Sequence, residues 1–287
     1  MRKKTVKIAA GAVLAAAVWF YFSATKTAVP ESEISESAQR SEPEVEQNVT
    51  SFSIEGRSPR GARQWTLTGD SARIIDDDIH MSNLKAVAYS DDSVINLSSN
   101  SGIYRRELDE VDLLGNVFVF SGEDFFLKTE SARWSQEDKE IATEEYVEIT
   151  REGMRAVGVG GRANSDERWA QLNSNVDVFI DPGTRVRSDG PLEVKYGDNL
   201  AVFRDNVIVE DEEGRLMADI LTVEFDPETQ KMVKVTAEGN VTVRKGNTYT
   251  ISEKAVYTEG TKSAQLLGRP RIIIDPAEIE KFDEMMI

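Results

Sequence analysis

Asp76, Asp77 and Asp78 set three carboxylates in succession, hard oxygen ligands of the kind a divalent cation takes. Three acids in a turn between apolar runs are also the ordinary make-up of a solvated loop, and no metal site is assigned to them. His80 is the only histidine and there is no cysteine, so multi-histidine sites, thiolate metal sites, disulfides, cysteine nucleophiles and a lipidated N-terminal cysteine are excluded. GVGG, from Gly158 to Gly161, comes nearest to a dinucleotide loop. It lacks the full fingerprint and a following helical pattern, and reads as a loop. The chain holds 51 acidic residues, so carboxylate pairs of the glycosidase type arise from abundance alone and single out no site. No phosphate-cradling P-loop is present. No catalytic residue or cofactor is assigned, and the chain is read as a non-enzyme.

Formal net charge is −17 without a dense basic stripe, which disfavours binding to nucleic acid. Basic residues do gather at the start, where RKKTVK precedes the apolar run IAAGAVLAAAVWFYF from Ile8 to Phe22. Flanking residues extend this run, Lys7 can snorkel, and Trp19 and Tyr21 make an aromatic belt. Residues 1–24 are therefore expected to be a cytoplasmic stub and a single transmembrane helix. SATKTAVP offers no clean cleavage site, which favours a retained anchor over a signal peptide. Residues 25–48, rich in Glu, Ser and Pro and without an aromatic residue, read as an acidic disordered tether.

Beyond Phe52 the pattern is period two, with turn signals such as QEDK, DEEG and RKGN, so the chain is all-β. GNVFVF (Gly115–Phe120) returns as GNVTVR (Gly239–Arg244). Asn83, Gly115, Glu145, Ser174, Asp205, Gly239 and Gly268 occupy the equivalent place about every thirty residues. Alternation puts the two glycines in the inward column, where they let the strand bend or a neighbour approach closely. On that reading Gly115→Val and Gly239→Val do more damage than Asn116→Val or Asn240→Val, and Glu145 and Asp205 mark loops. A second motif alternates with the first: Leu67, Gly69, Ala72, Ile74; then Leu97, Ser99, Gly102, Tyr104; then Leu127, Thr129, Ala132, Trp134; with later copies at Leu216 and Thr250. Its central spacing of three predicts a β-bulge in these strands. The last residues, from Asp275 and Pro276, predict a short capping helix.

An anchor followed by these interleaved motifs resembles the periplasmic lipopolysaccharide-transport families LptC and LptA (OstA-like). FSIEGRSPRGARQWTLTGDSARI (Phe52–Ile74) and SGIYRRELDEVDLLGNVFV are similar to LptC, while EGNVTV and LLGRPRIII are similar to the OstA-like repeat of LptA. The resemblance implies an elongated, open, OstA-like β-jellyroll of two packed antiparallel sheets, an LptC-like unit over 49–182 and an LptA-like unit with a short C-terminal helix over 183–287. It further implies an inner-membrane, single-pass protein whose folded part lies in the periplasm. Its partners would be lipopolysaccharide, the inner-membrane Lpt ABC transporter complex, and an LptA-like bridge protein joined by edge-strand pairing. Candidate groove residues are the inward positions Val117, Val119, Leu127, Trp134, Val176, Val178, Val207, Val209, Val241 and Val243. Each is equally an ordinary core position. Arg57, Arg60 and Arg63 are candidates for lipid A phosphates. An anchored structural envelope protein with a filled core is the alternative, and a β-sandwich hydrolase a more distant one.

Overall fold

A computed structural model describes residues 48–57, 63–89, 94–122, 125–135, 137–164, 167–212, 214–246 and 248–273. The expected anchor, nearly all of the tether, Arg60 and the C-terminal helix lie outside the described residues. Among the described residues no helix is long and apolar enough to cross a membrane.

The described chain is seventeen strands. The first nine are β1 (Asn48–Arg57), β2 (Arg63–Ile75), β3 (Asp78–Tyr89), β4 (Val94–Arg105), β5 (Glu110–Ser121), β6 (Phe125–Ser135), β7 (Glu140–Arg151), β8 (Met154–Asn164) and β9 (Trp169–Ile180). There follow β10 (Thr184–Ser188), β11 (Leu192–Lys195), β12 (Leu200–Glu210), β13 (Arg215–Phe225), β14 (Met232–Lys245), β15 (Thr248–Thr258), β16 (Ser263–Leu267) and β17 (Arg271–Ile273). Each long strand pairs antiparallel with the next in chain order. β10 and β11 are two pieces of one strand position between β9 and β12, and β16 and β17 share the far side of β15. The two sheets expected from the sequence are thus two halves of one continuous antiparallel sheet, with each half-strand contributing inward residues.

What divides each strand is a corner at its middle. Gly115 and Asn116 have φ of 75° and 50°, Asp205 and Asn206 64° and 51°, and Gly239 and Asn240 76° and 49°. Two successive left-handed residues rotate the pleat, and only glycine and asparagine-like side chains adopt that region at little cost. The corner strand also needs extra length. Between β4 and β5, the step from Ser98 to Ser101 is matched by the longer step from Leu114 to Phe118, and the same excess on β5 appears against β6. β14 is likewise longer than both β13 and β15 at Gly239–Asn240.

Three expectations change here. The extra residue belongs to the glycine-bearing strands rather than to the second motif, whose spacing of three is the shorter side of the same corner. Glu145 and Asp205 lie within β7 and β12 rather than in loops, and GVGG lies within β8, held on both sides by β7 and β9. Finally, the bare side of the glycines faces outward. A Cβ on Gly115 would meet the side chain of exposed Asn100, and one on Gly239 the side chain of exposed Asp219.

The turns use the same chemistry. Asp76 and Asp77, at φ of 48° and 69°, form the two-residue connection from β2 to β3, the hairpin geometry that favours Asp, Asn and Gly. Inside the folded sheet, apolar residues from both half-strands build the core, and Leu84, Leu172, Val176, Val207 and Val241 are the largest fully buried side chains. Outside, ion pairs lace neighbouring strands. Arg105 and Arg133 both reach Asp112, and Arg185 grips Asp177 through Nε–Oδ1 at 2.8 Å and Nη2–Oδ2 at 2.6 Å.

Because Asn116 and Asn240 are also left-handed, valine is expected to be damaging at both members of each pair. Gly239→Val and Asn240→Val should each cost about 1–2 kcal/mol or more, lowering the melting temperature by about 2–8 °C for a domain of this size, whereas Asn240→Gly should cost less. Tolerance of Asn240→Val in a thermal melt would show that the corner does not need its second left-handed residue. A second test concerns acid. The hydrogen bond from Arg185 holds the Asp177 carboxyl below its ordinary 3.8. The stabilisation is therefore complete above that pH and lost as pH falls through the lowered folded value. Both groups are partly exposed, so the effect is small. Asp177→Asn should lower the denaturant midpoint near neutral pH, with the gap closing as pH falls below the ordinary carboxylate range.

Candidate functional site

The sheet does not close evenly on itself. Between the two halves of β1 to β9 lies a cavity of about 900 Å³, at the upper end of the range usual for ligand sites. Its walls come from the inward positions of the second motif, Leu67, Ala72, Ile74, Leu97, Tyr104, Leu127, Thr129, Ala132 and Trp134, and from the corner strand β5, Val111, Leu113, Val117 and Val119. Val111 and Val119 stand on opposite sides of the Gly115 corner, so one bent strand lines the cavity with both its halves. β3 adds Ile79, Met81, Leu84 and Ala86, and β1 and β2 add Phe52 and Trp65.

Polar groups among the lining residues are few and mostly engaged with one another. Tyr104 donates to Asp109 at 2.9 Å, and burial together with this bond pushes the phenol above its ordinary value. Arg162 donates to both oxygens of Glu140, at 2.9 and 3.0 Å, and the bond raises the guanidinium further. The hydroxyls of Thr129 and Thr143 lie 3.4 Å apart. Nothing in this lining combines a nucleophile with a base, and among the described residues no group of three His, Cys, Asp or Glu is placed to hold a metal. The arrangement suits an apolar, chain-like ligand, which gains about 0.8 kcal/mol for each methylene taken out of water.

The ten inward candidates divide. Val117, Val119, Leu127 and Trp134 line the cavity. Val176, Val178, Val207 and Val241 are 0–3% exposed within a packed core shared with Phe203, Ala218 and Leu221, and Val209 and Val243 pack against it. The cavity is lined from β1 to β9, and the packed core runs beside it from β3 to β15, sharing Ile95, Val119, Val147 and Leu172 with its wall. Arg57 and Arg63 are register partners where β1 and β2 meet the loop between them.

Several lining residues were not singled out by the sequence as site candidates. Leu67, Leu97 and Tyr104 were visible as members of the second motif. The β3 residues Ile79, Met81, Leu84 and Ala86 alternate on either side of Asn83, whose φ of 48° switches the parity and hides the column.

Comparison with known proteins gives two adjoining matches. Residues 10–181 match the family described as lipopolysaccharide-assembly, LptC-related. Residues 185–281 match the family described as LptA/(LptD N-terminal domain) LPS transport protein. Among solved structures, the chain is similar to that of LptH, the LptA homologous periplasmic component of the conserved lipopolysaccharide transport device from Pseudomonas aeruginosa. Identity is 12%, over 43% of this chain and 95% of that one, with a TM-score of 0.36. No curated protein matches.

The cavity carries its own reporters. Trp65 and Trp134 line it, whereas Trp169 does not and instead donates to Glu167 at 2.7 Å. Titrating the protein with an alkyl maltoside below its micelle concentration should shift tryptophan emission. Trp134→Phe together with Trp65→Phe should remove most of the shift, and Trp169→Phe should leave it. A shift that followed Trp169 would place the ligand elsewhere.

Proposed function

The chain belongs to the LptC-related lipopolysaccharide-assembly family and carries a C-terminal LptA-like region, and from this we propose that it is a membrane-anchored component of lipopolysaccharide export. It accepts lipopolysaccharide from an inner-membrane ABC transporter and passes it toward the outer membrane, with its folded part in the periplasm. Its role in lipopolysaccharide transport follows from the family. The anchor, the transporter and the handover are the proposal, supported by the apolar run Ile8–Phe22 with its basic flank.

The observation that carries this reading is the cavity. Moving an acyl chain of about fourteen carbons through water costs about 11 kcal/mol, and a trough lined by Leu97, Val117, Leu127 and Trp134 offsets it. The chain has no nucleotide-binding loop, so the work comes from the transporter. β1 and the β16–β17 position each have one strand neighbour among the described residues, and such edges accept a strand from an LptA-like bridge protein. The alternative of a filled structural repeat leaves the cavity without a purpose.

Photo-crosslinking in cells tests the proposal. A photoreactive residue at half-buried Leu127 or Leu97 should capture lipopolysaccharide, and one at the outward position Lys128 should not. The full-length protein should also copurify with an ABC transporter. If Leu127 and Leu97 yield no adduct while export is running, the proposal fails.

A further inference from the structure

The last two short strands leave the far end of the interior uncovered. Among the described residues β16 and β17 pair only with β15, each against one half of it. Ile272 is the register partner of Thr250, which pairs with Val243, and Leu266 is the partner of Ala255, which pairs with Ala237. Directly opposed residues share a face of the sheet, so Ile272 and Leu266 continue the inward columns of Val243, Ala237 and Ala255, which belong to the core or pack against it. Yet Ile272 is 65% exposed and Leu266 only half-buried. Past Ile273 the chain continues as IDPAEIEKFDEMMI, from Ile274, outside the described residues. Asp275 and Pro276 suit the cap and first position of a helix. Ile279, Phe282 and Met286 then recur at the i, i+3, i+7 spacing of one apolar face, with Glu280 and Glu284 on the other. The dimensions agree. A helix is about 10 Å across, the same as the roughly 10 Å between packed sheets. Residues 276–287 would run about 18 Å at about 1.5 Å each, close to the length of a strand such as β16, 5 residues long, at about 3.4 Å each. Charge agrees as well: exposed Arg269 and Arg271, between and at the start of the two short strands, complement Glu278 and Asp283 beside the apolar face.

We propose that residues 276–287 form an amphipathic helix laid across this end, with Ile279, Phe282 and Met286 against Ile272 and Leu266, and that a bridge protein's strand must displace it to pair with β16–β17. The displacement rests on the bridge reading above; the cap does not. A cover joined to the edge by two residues acts at high effective concentration. A strand arriving from another protein therefore pairs only when the helix lifts, and the free end is kept from pairing at random.

The chain has no cysteine, so paired substitutions report contacts without background. In the full chain, Ile272→Cys with Phe282→Cys should form an intramolecular disulfide severalfold faster than Ile272→Cys with Glu284→Cys, read as a mobility shift that a reductant reverses. Equal rates for the two pairs, as a loose tail would give, overturn the cap. Disulfide-linked dimers would place a second copy over the end and overturn it too. A photoreactive residue at Ile273 tests displacement in cells, where Phe282→Asp should raise capture of the LptA-like bridge protein severalfold. Unchanged capture, with the disulfide contrast intact, overturns the displacement and leaves the cap. No capture in either chain removes the bridge reading, and the displacement with it.

Discussion

A strand that turns a corner inside a hydrogen-bonded ladder must be longer than the strands on either side of it, or the ladder breaks. This one constraint organises the molecule. β5 and β14 carry the surplus as a pair of left-handed residues, and their neighbours carry the matching shorter step. With the corners in register the sheet folds over along a single line and faces itself. Core and cavity both follow from that.

The corners also have a chemistry of their own on the outer side. Asn83 donates to Asp70 at 2.6 Å, Asn206 to Asp189 at 2.7 Å and Asn240 to Asp219 at 2.9 Å. In each case the second left-handed residue, or its counterpart in β3, reaches a carboxylate at the preceding strand position, which for Asn206 is Asp189 in the bend between β10 and β11. Asparagine serves two needs there: it tolerates the backbone conformation, and its amide bridges the spot where the ladder's own bonds are interrupted. At Gly239 a side chain would strike Asp219, the same residue that Asn240 reaches.

Much of this was legible in the residues. The thirty-residue recurrence and the broken alternation of Leu97, Ser99, Gly102 and Tyr104 reveal paired strands with a corner, since period and parity are local properties. Which strand carries the surplus was not legible, because a spacing of three looks the same whether it is the long or the short side of a bulge. Nor was the division between cavity and core. Val117 and Val241 occupy equivalent places in the repeat and are buried to the same degree, yet only Val117 borders a cavity. The difference lies in what faces them across the fold, which a single strand does not encode. GVGG misled for a related reason. Glycine has low intrinsic preference for strands, but β7 and β9 supply partners on both sides and override it.

The join at β9, β10–β11 and β12 gives the molecule a mechanical character. Two modules that meet by non-covalent strand pairing separate at a rate set by their affinity, and their spacing fluctuates with occupancy. Here the ladder runs through the join without a chain break. The six strand positions from β10–β11 to β16–β17 lengthen the sheet by roughly 30 Å at about 4.8 Å each. That length is set by synthesis rather than by concentration. It survives dilution, and under tension it fails only by unfolding.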